Sequence, residues 1–199
     1  MSTSNKGEIN AAEVRYNALF FPVAAFGLLV GLWSSPLATK GLQGWKWFDW
    51  HPLSMAIAFV VLAPLAALKK RIGGKGPTVI HGSMANLGMM LGCLGYYVIW
   101  SNKEMLNKEH LTSLHGKLGA ASVASFVVLG IVGALGLHPD FGMLKTNKLV
   151  RGIHKYSGRA GILTAWSAAF TGFVKYETRV QVQAPILLGL LALSFFTII

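Results

Sequence analysis

The chain has 199 residues, of which 53% are hydrophobic and only 13% are charged, and its mean hydropathy is positive. This composition lies outside the usual range of a soluble domain and indicates an integral membrane protein. The net charge of +11 does not predict a nucleic-acid partner, because the basic residues are spread through short segments between apolar stretches. The sequence contains no phosphate-binding loop, zinc-protease signature or nucleophile elbow, which disfavours nucleotide-driven and hydrolytic functions.

Six apolar segments approach the roughly 20 residues that a helix needs to cross a bilayer. We therefore predict an all-α integral membrane protein with six transmembrane helices. Its domains are a polar N-terminal segment at 1–17 and a single transmembrane domain at 18–199. The connecting segments are short and rich in glycine and proline, which mark turns. The predicted spans are 18–37, 51–68, 79–100, 111–137, 149–173 and about 181–199.

The distribution of the 18 lysines and arginines predicts the orientation of the chain. With six spans, both termini and the second and fourth loops share one side of the membrane, and that side carries most of the basic residues. By the positive-inside rule, this richer side faces the cytoplasm. Both termini are therefore predicted to be cytoplasmic.

Cysteine usage limits the redox chemistry that the chain can perform. Cys93 is the only cysteine and lies inside the third predicted span. It cannot form an intramolecular disulfide, and one thiolate cannot hold an iron–sulfur cluster or a covalently attached haem. A redox function therefore needs another carrier.

Four consecutive predicted spans each begin with a histidine. Spans two and four run in the same direction, so His51 and His115 are expected at similar depth near the non-cytoplasmic face, and His81 and His154 near the cytoplasmic face. Two pairs at two depths in a central four-helix bundle, formed by spans two to five, are the arrangement that two bis-histidine haems require. The alternative is that these histidines lie at helix ends because the membrane–water interface there is hydrated.

Small residues follow the histidines and would let a flat macrocycle approach the helices. Close helix packing is the alternative explanation, because small residues serve that purpose throughout membrane bundles. The residues concerned are Gly82, Gly116, Gly119, Gly158 and Gly161.

The motifs around the histidines resemble those of the six-helix cytochrome b561 family, in the form that consists of the membrane domain alone. They are WHPLSM at 50–55, IHGSM at 80–84, NKEMLNKEHLTSLHGKLG at 102–119 and IHKYSGRAG at 153–161. The resemblance covers spans one to five and implies two non-covalent haem b groups. It matches His51, His81, His115 and His154 to the four axial ligand positions.

The resemblance also implies transmembrane electron transfer. Cytoplasmic ascorbate would reduce one haem, and the other haem would reduce monodehydroascorbate or ferric chelates on the opposite side. Basic residues near His154 and in loop two would attract a small anion, although the positive-inside bias explains them equally well. The candidates are Lys70, Arg71, Lys75, Arg151 and Lys155, of which Lys75 and Arg151 are preferred.

On the opposite side, Lys108 and His110 lie in the loop that leads to His115 and are the candidate substrate residues there. His110 lies too near the surface to be expected as an iron ligand. As an imidazole it could exchange a proton with a substrate, since its ordinary pKa is near physiological pH. A solvated loop histidine is the alternative.

A different class of function is also compatible with the sequence. The chain could be an accessory subunit, with or without haem, that packs into a larger respiratory or redox complex in the membrane. Similar proteins occur in endomembranes and plasma membranes and often form homodimers, and the mitochondrial inner membrane is the alternative location. A small transporter is disfavoured, because the sequence shows no convincing internal repeat.

Overall fold

The computed structural model describes residues 10–34, 44–176 and 180–198. Within these ranges the chain forms six helices and no strand, which confirms the all-helical prediction. The helices are α1 at Ala11–Trp33, α2 at Trp47–Arg71, α3 at Lys75–Met105, α4 at Leu114–Gly136, α5 at Lys148–Tyr176 and α6 at Val180–Ile198.

Capping residues move two helix starts away from the apolar boundaries predicted above. Helix α1 begins at Ala11, inside the predicted polar segment, because the Asn10 side chain accepts a hydrogen bond from the amide of Ala12. Helix α4 begins at Leu114 and not at residue 111, because the Ser113 hydroxyl accepts from the amide of Gly116. Such side-chain caps satisfy the free amides of a first turn, and hydropathy does not reveal them.

Among the described residues, α1, α2, α3 and α4 are long and apolar enough to cross a membrane. Helix α5 has 29 residues, nearly as many as the 31 of α3, but Lys155 and Arg159 lie in its first half. The apolar part of α6 runs over Gln181–Phe195. Length and composition therefore support four of the six predicted spans.

Helix α2 lies at the centre of the packing. Helix α3 packs along one side of it, α4 packs mainly along α5, and α1 and α6 both contact α2. The four helices that carry the predicted ligands are therefore neighbours in chain order, with α1 and α6 outside them. The buried core joins Val23, Val30, Val60, Leu65, Leu68, Ile162, Trp166, Ile186 and Leu190.

Glycines on α3 allow this helix to approach α2 closely. Gly88, Gly92 and Gly95 are buried at helical spacing on the face towards α2. A Cβ atom on Gly92 would lie 2.8 Å from Cζ of Phe59, so a larger residue would force the helices apart. This contact also brings the backbone of α3 within reach of His51.

The middle of α2 is not a regular α-helix. Ile57–Leu62 forms a π-helical segment, and the indole nitrogen of Trp166 on α5 donates a buried hydrogen bond of 2.8 Å to the carbonyl of Phe59. Such segments interrupt the normal hydrogen-bond ladder and often occur at functional sites. The bond joins α5 to α2 about midway between the two ends of the bundle.

Candidate functional site

The four predicted ligand histidines form two pairs in the structure. The ring centroids of His51 and His115 are 6.0 Å apart with an interplanar angle of 84°. Those of His81 and His154 are 6.4 Å apart at 80°. These are the pairs expected from the order of the helices, while iron ligation by them stays a prediction.

The helix positions of the histidines explain the pairing. His51 and His115 both lie one residue inside the start of an α-helix, in the segments Trp50–Ala56 and Leu114–Ile131. His81 and His154 both lie about two turns inside α3 and α5. Because adjacent helices run in opposite directions, equal insertion from the same side gives equal depth.

Three of the four imidazoles are oriented by a backbone carbonyl of the neighbouring helix. A carbonyl can only accept a hydrogen bond, so Nδ1 carries the proton and Nε2 keeps a free lone pair. This is the tautomer and orientation of a metal-ligating histidine. The distances are 2.9 Å from His51 to Gly95, 2.9 Å from His81 to Ala66 and 2.8 Å from His115 to Ala168.

The separation of the rings fits one metal between each pair. Imidazole nitrogens bind metals at about 2 Å, and each ring centroid lies about 1 Å behind its nitrogen, so opposite axial ligands have centroids about 6 Å apart. The observed 6.0 and 6.4 Å agree with this spacing. The donor set therefore fits the two haem groups predicted from the sequence.

His154 differs from the other three histidines. Its Nδ1 atom is buried and has no hydrogen-bond partner among the described residues. Its ring packs against Gly133 of α4, where an added Cβ atom would lie 3.3 Å from Cε1 of the imidazole. The orientation of this ring therefore depends on packing.

A cavity of about 330 Å³ surrounds the pair formed by His51 and His115. Its deep walls are apolar, with Met55, Phe59 and Ala165 among them, and its mouth carries Lys103, His110 and Lys175. No aspartate or glutamate lines it among the residues that the structure describes. A mainly apolar group with negative charge at one edge would suit this space.

Gly172 on α5 is necessary for the position of His115. A Cβ atom at Gly172 would lie 2.6 Å from Cε1 and 2.7 Å from Nδ1 of the imidazole. Any larger side chain would therefore displace the ring from His51. The motif around His115 gave no indication of this contact, because Gly172 is distant in sequence.

His110 lies at the mouth of the cavity. Its ring stacks on Trp100 with a centroid distance of 3.7 Å, and its Nε2 is 2.7 Å from Oε1 of Glu104. The next residue, Leu111, has a φ of +54°, a conformation that is uncommon and costly for a branched side chain. The structure thus brings His110 to the site.

Lys108, the other predicted residue on this side, is exposed and does not line the cavity. Lys103 and Lys175 line it instead, and neither was among the candidates named from the sequence. The sequence feature that could have identified these two lysines is their position just after the third and fifth predicted spans, on the same side of the membrane as His115.

The basic candidates on the other side fall into different environments. Lys70 Nζ donates to the Thr78 hydroxyl at 2.5 Å and lies close enough to Arg151 for their charges to repel. Lys70 also acts electrostatically on both His81 and His154, which places it beside their pair.

Arg71, Lys155 and Lys75 complete the predicted basic set. The guanidinium of Arg71 lies near those of Arg15 and Arg159. Lys155 is exposed, with its Nζ 5.6 Å from the ring centroid of Tyr156. Nζ of Lys75 forms an ion pair with the carboxylate of Asp140.

Comparison with known proteins identifies the family. The family model of eukaryotic cytochrome b561 matches residues 50–179. The transmembrane reductase CYB561D2 is 29% identical in Homo sapiens over 170 residues, which cover 79% of this chain and 75% of that protein. In Bos taurus it is 29% identical over 148 residues, covering 68% of this chain and 65% of that protein.

A second kind of relative is the lysosomal membrane ascorbate-dependent ferrireductase CYB561A3 of Bos taurus. It is 27% identical over 131 residues, which cover 63% of this chain and 49% of that protein. The chain thus spans from about half to three quarters of the length of these three relatives. The family match covers most of the chain, including all four paired histidines. The chain is therefore an integral membrane protein of the eukaryotic cytochrome b561 family, a haem-binding family.

Proposed function

We propose that this protein is an oxidoreductase that transfers electrons across a membrane through two haem b groups. The electron donor is ascorbate on the cytoplasmic side, and the acceptor is monodehydroascorbate or a ferric chelate on the other side. The observation that carries the proposal is the presence of two histidine pairs. The ring centroids are 6.0 Å apart in His51–His115 and 6.4 Å apart in His81–His154. The names of the relatives, a transmembrane reductase and an ascorbate-dependent ferrireductase, support it.

His51 and His115 would hold the non-cytoplasmic haem, and His81 and His154 the cytoplasmic haem. A bis-histidine haem b supplies a one-electron iron centre with both axial positions filled, which favours outer-sphere electron transfer over oxygen activation. The chain contributes the carbonyls that orient the imidazoles and the apolar walls that exclude water. Both features tune the redox potential and keep the site rigid.

The distance between the pairs suits transfer across a bilayer. Along α2, His51 precedes Ala66, the carbonyl partner of His81, by about three fifths of the length of the helix. At about 1.5 Å per residue, these residues lie roughly 20 Å apart along the axis. That is a large part of the hydrocarbon thickness of about 30 Å.

The two ends of the bundle would serve different substrates. Lys70 lies beside His81 and His154, and Arg151 lies near Lys70 and about one helical turn before His154. Together they give the cytoplasmic end a positive field that attracts an anion such as ascorbate. At the other end, His110 at the cavity mouth would exchange a proton with the acceptor. We propose that α5 and α6 also cross the membrane, so that both termini are cytoplasmic.

The test is an absorbance spectrum of the purified protein before and after the addition of ascorbate, combined with a haem assay. We expect two haem b per chain and a reduced b-type spectrum. Absence of haem would overturn the proposal. Haem that dithionite reduces and ascorbate does not would favour the accessory subunit.

A further inference from the structure

The cavity around His51 and His115 is polarised. Its interior is apolar, and its cationic residues are concentrated at the mouth, where Lys103 and Lys175 are both among the lining residues. No acidic side chain lines the cavity within the described part of the chain. Two positive charges at the open end of an apolar chamber suit a ligand that is apolar over most of its surface and anionic at one edge.

The two lysines occupy equivalent places on two different helices. Lys103 lies on α3, about two turns beyond Gly95, whose carbonyl orients His51. Lys175 lies on α5, about two turns beyond Ala168, whose carbonyl orients His115. Each lysine therefore belongs to the helix that orients one imidazole, and each is displaced from it in the direction of the mouth.

Lys103 is held in place by the loop that covers the mouth. Its Nζ donates a hydrogen bond of 2.6 Å to the carbonyl of Glu109. An ammonium group has three donors, so it keeps donors for a second partner. Lys175 is exposed at the end of α5 and lines the same cavity.

Haem b is an apolar macrocycle with two carboxylates on one edge, which matches this distribution of charge. We propose that Lys103 and Lys175 bind the two propionates of the haem held by His51 and His115, so that its propionate edge faces the non-cytoplasmic surface. The inference rests on the function proposed above. It makes both lysines positioning residues for the haem.

The first experiment is a redox titration of purified holoprotein. Lys103→Met and Lys175→Met should each lower the midpoint potential of one haem, because loss of a positive charge favours the ferric state. The affected haem should be the one that His115→Ala removes. Lys46→Met removes the same charge from an exposed site outside the cavity and should leave both potentials unchanged. Lys103→Arg should restore the wild-type potential.

The second experiment separates propionate binding from a general effect of charge. The full-length protein is reconstituted with haem b or with its dimethyl ester, and the rate of haem loss from this site is measured. In the wild type, esterification should accelerate haem loss about three- to tenfold, the range for loss of partly exposed charge-assisted hydrogen bonds. In the Lys103→Met/Lys175→Met double variant, the two haems should dissociate at nearly equal rates.

The outcomes distinguish this inference from the function on which it rests. Purified protein without haem would overturn the proposed function. Haem at both sites with the same ester effect in the wild type and the double variant would overturn the role of the lysines alone. A changed KM for an anionic acceptor in the double variant, together with that unchanged ester effect, would assign the lysines to the acceptor instead of the propionates.

Discussion

Nζ of Lys75 lies 2.6 Å from Oδ1 of Asp140, so an ion pair joins the start of α3 to the loop between α4 and α5. The backbone of that loop packs closely on itself at Gly142, where a Cβ atom would lie 2.5 Å from the His138 amide nitrogen. Lys145 Nζ also donates to the Asp140 carbonyl at 2.7 Å. Lys75, the candidate residue for ascorbate that the sequence favoured, thus has an anionic partner that an incoming anion would have to displace.

Removal of the Asp140 carboxylate should strengthen the binding of ascorbate, because Lys75 then has no competing anion. Asp140→Asn keeps the shape of the side chain and frees the Lys75 ammonium. Because exposed ion pairs contribute little, we expect the KM for ascorbate to fall only about two- to fivefold, with kcat unchanged. The measurement is the rate of haem reduction at a series of ascorbate concentrations.

Two variants control for general electrostatics. Glu13→Gln removes an exposed negative charge near the same end of the bundle and should leave the KM unchanged. In a Lys75→Gln background, Asp140→Asn should lose most of its effect. An equal effect in both backgrounds would show that Asp140 does not act through Lys75.

The effect of Asp140 should not depend on pH near neutrality. The hydrogen bond from Lys75 is the main cause that lowers the pKa of the Asp140 carboxyl below its usual value. Since the lowered pKa keeps the carboxylate charged, the ion pair is lost only as the pH falls through that pKa, on the acidic side of the usual range of an aspartate. The ratio of the wild-type KM to that of Asp140→Asn should therefore stay constant from pH 5 to 8. A ratio that changes with a midpoint near pH 6 would contradict this assignment.

The pairing of the histidines predicts which substitutions remove the same haem. His51→Ala and His115→Ala should each abolish one spectroscopic component, and His81→Ala and His154→Ala the other. Low-temperature absorbance or electron paramagnetic resonance spectra distinguish the two centres. If His51→Ala and His81→Ala abolished a common centre, the proposed pairing would be wrong.

Gly172→Ala should disturb the haem held by His115. The added methyl group would lie 2.6 Å from the imidazole, and overpacking of this kind costs about 1 to 3 kcal/mol. We expect partial or complete loss of one haem, measured as the haem-to-protein ratio. Gly152→Ala is the matched control on α5, because nothing lies within 4 Å of the added Cβ atom there, and it should retain both haems.

Trp166→Phe should lower the thermal stability of the protein. The substitution leaves the buried carbonyl of Phe59 without the indole donor at 2.8 Å, which costs about 1 to 3 kcal/mol. Trp47→Phe loses a comparable bond of 2.8 Å to Ser101 at an exposed site, where water can replace it. Melting curves of the two variants should therefore differ by several degrees, and equal melting temperatures would contradict a stabilising role for the Phe59 bond.

The sequence was sufficient for the class of protein and for the depth of the four histidines. Apolar length marks the helices, and alternation of their direction places His51 with His115 and His81 with His154. These inferences need only position along each helix axis. The helix starts at Ala11 and Leu114 could not be predicted in this way, because each depends on a single side-chain hydrogen bond at the N-cap.

Only the tertiary structure decided what lies around each histidine. Rotation of one helix about its axis depends on contacts such as Gly92 with Phe59, and the π-helical segment Ile57–Leu62 changes that rotation within α2. A regular period of 3.6 residues cannot reveal such a change. This rotation decides the direction in which each side chain points, and side chains meet according to direction as well as depth. It therefore decides the carbonyl partners of the imidazoles, the approach of Gly172 to His115, and the places of Lys103 and Lys175 at the cavity mouth.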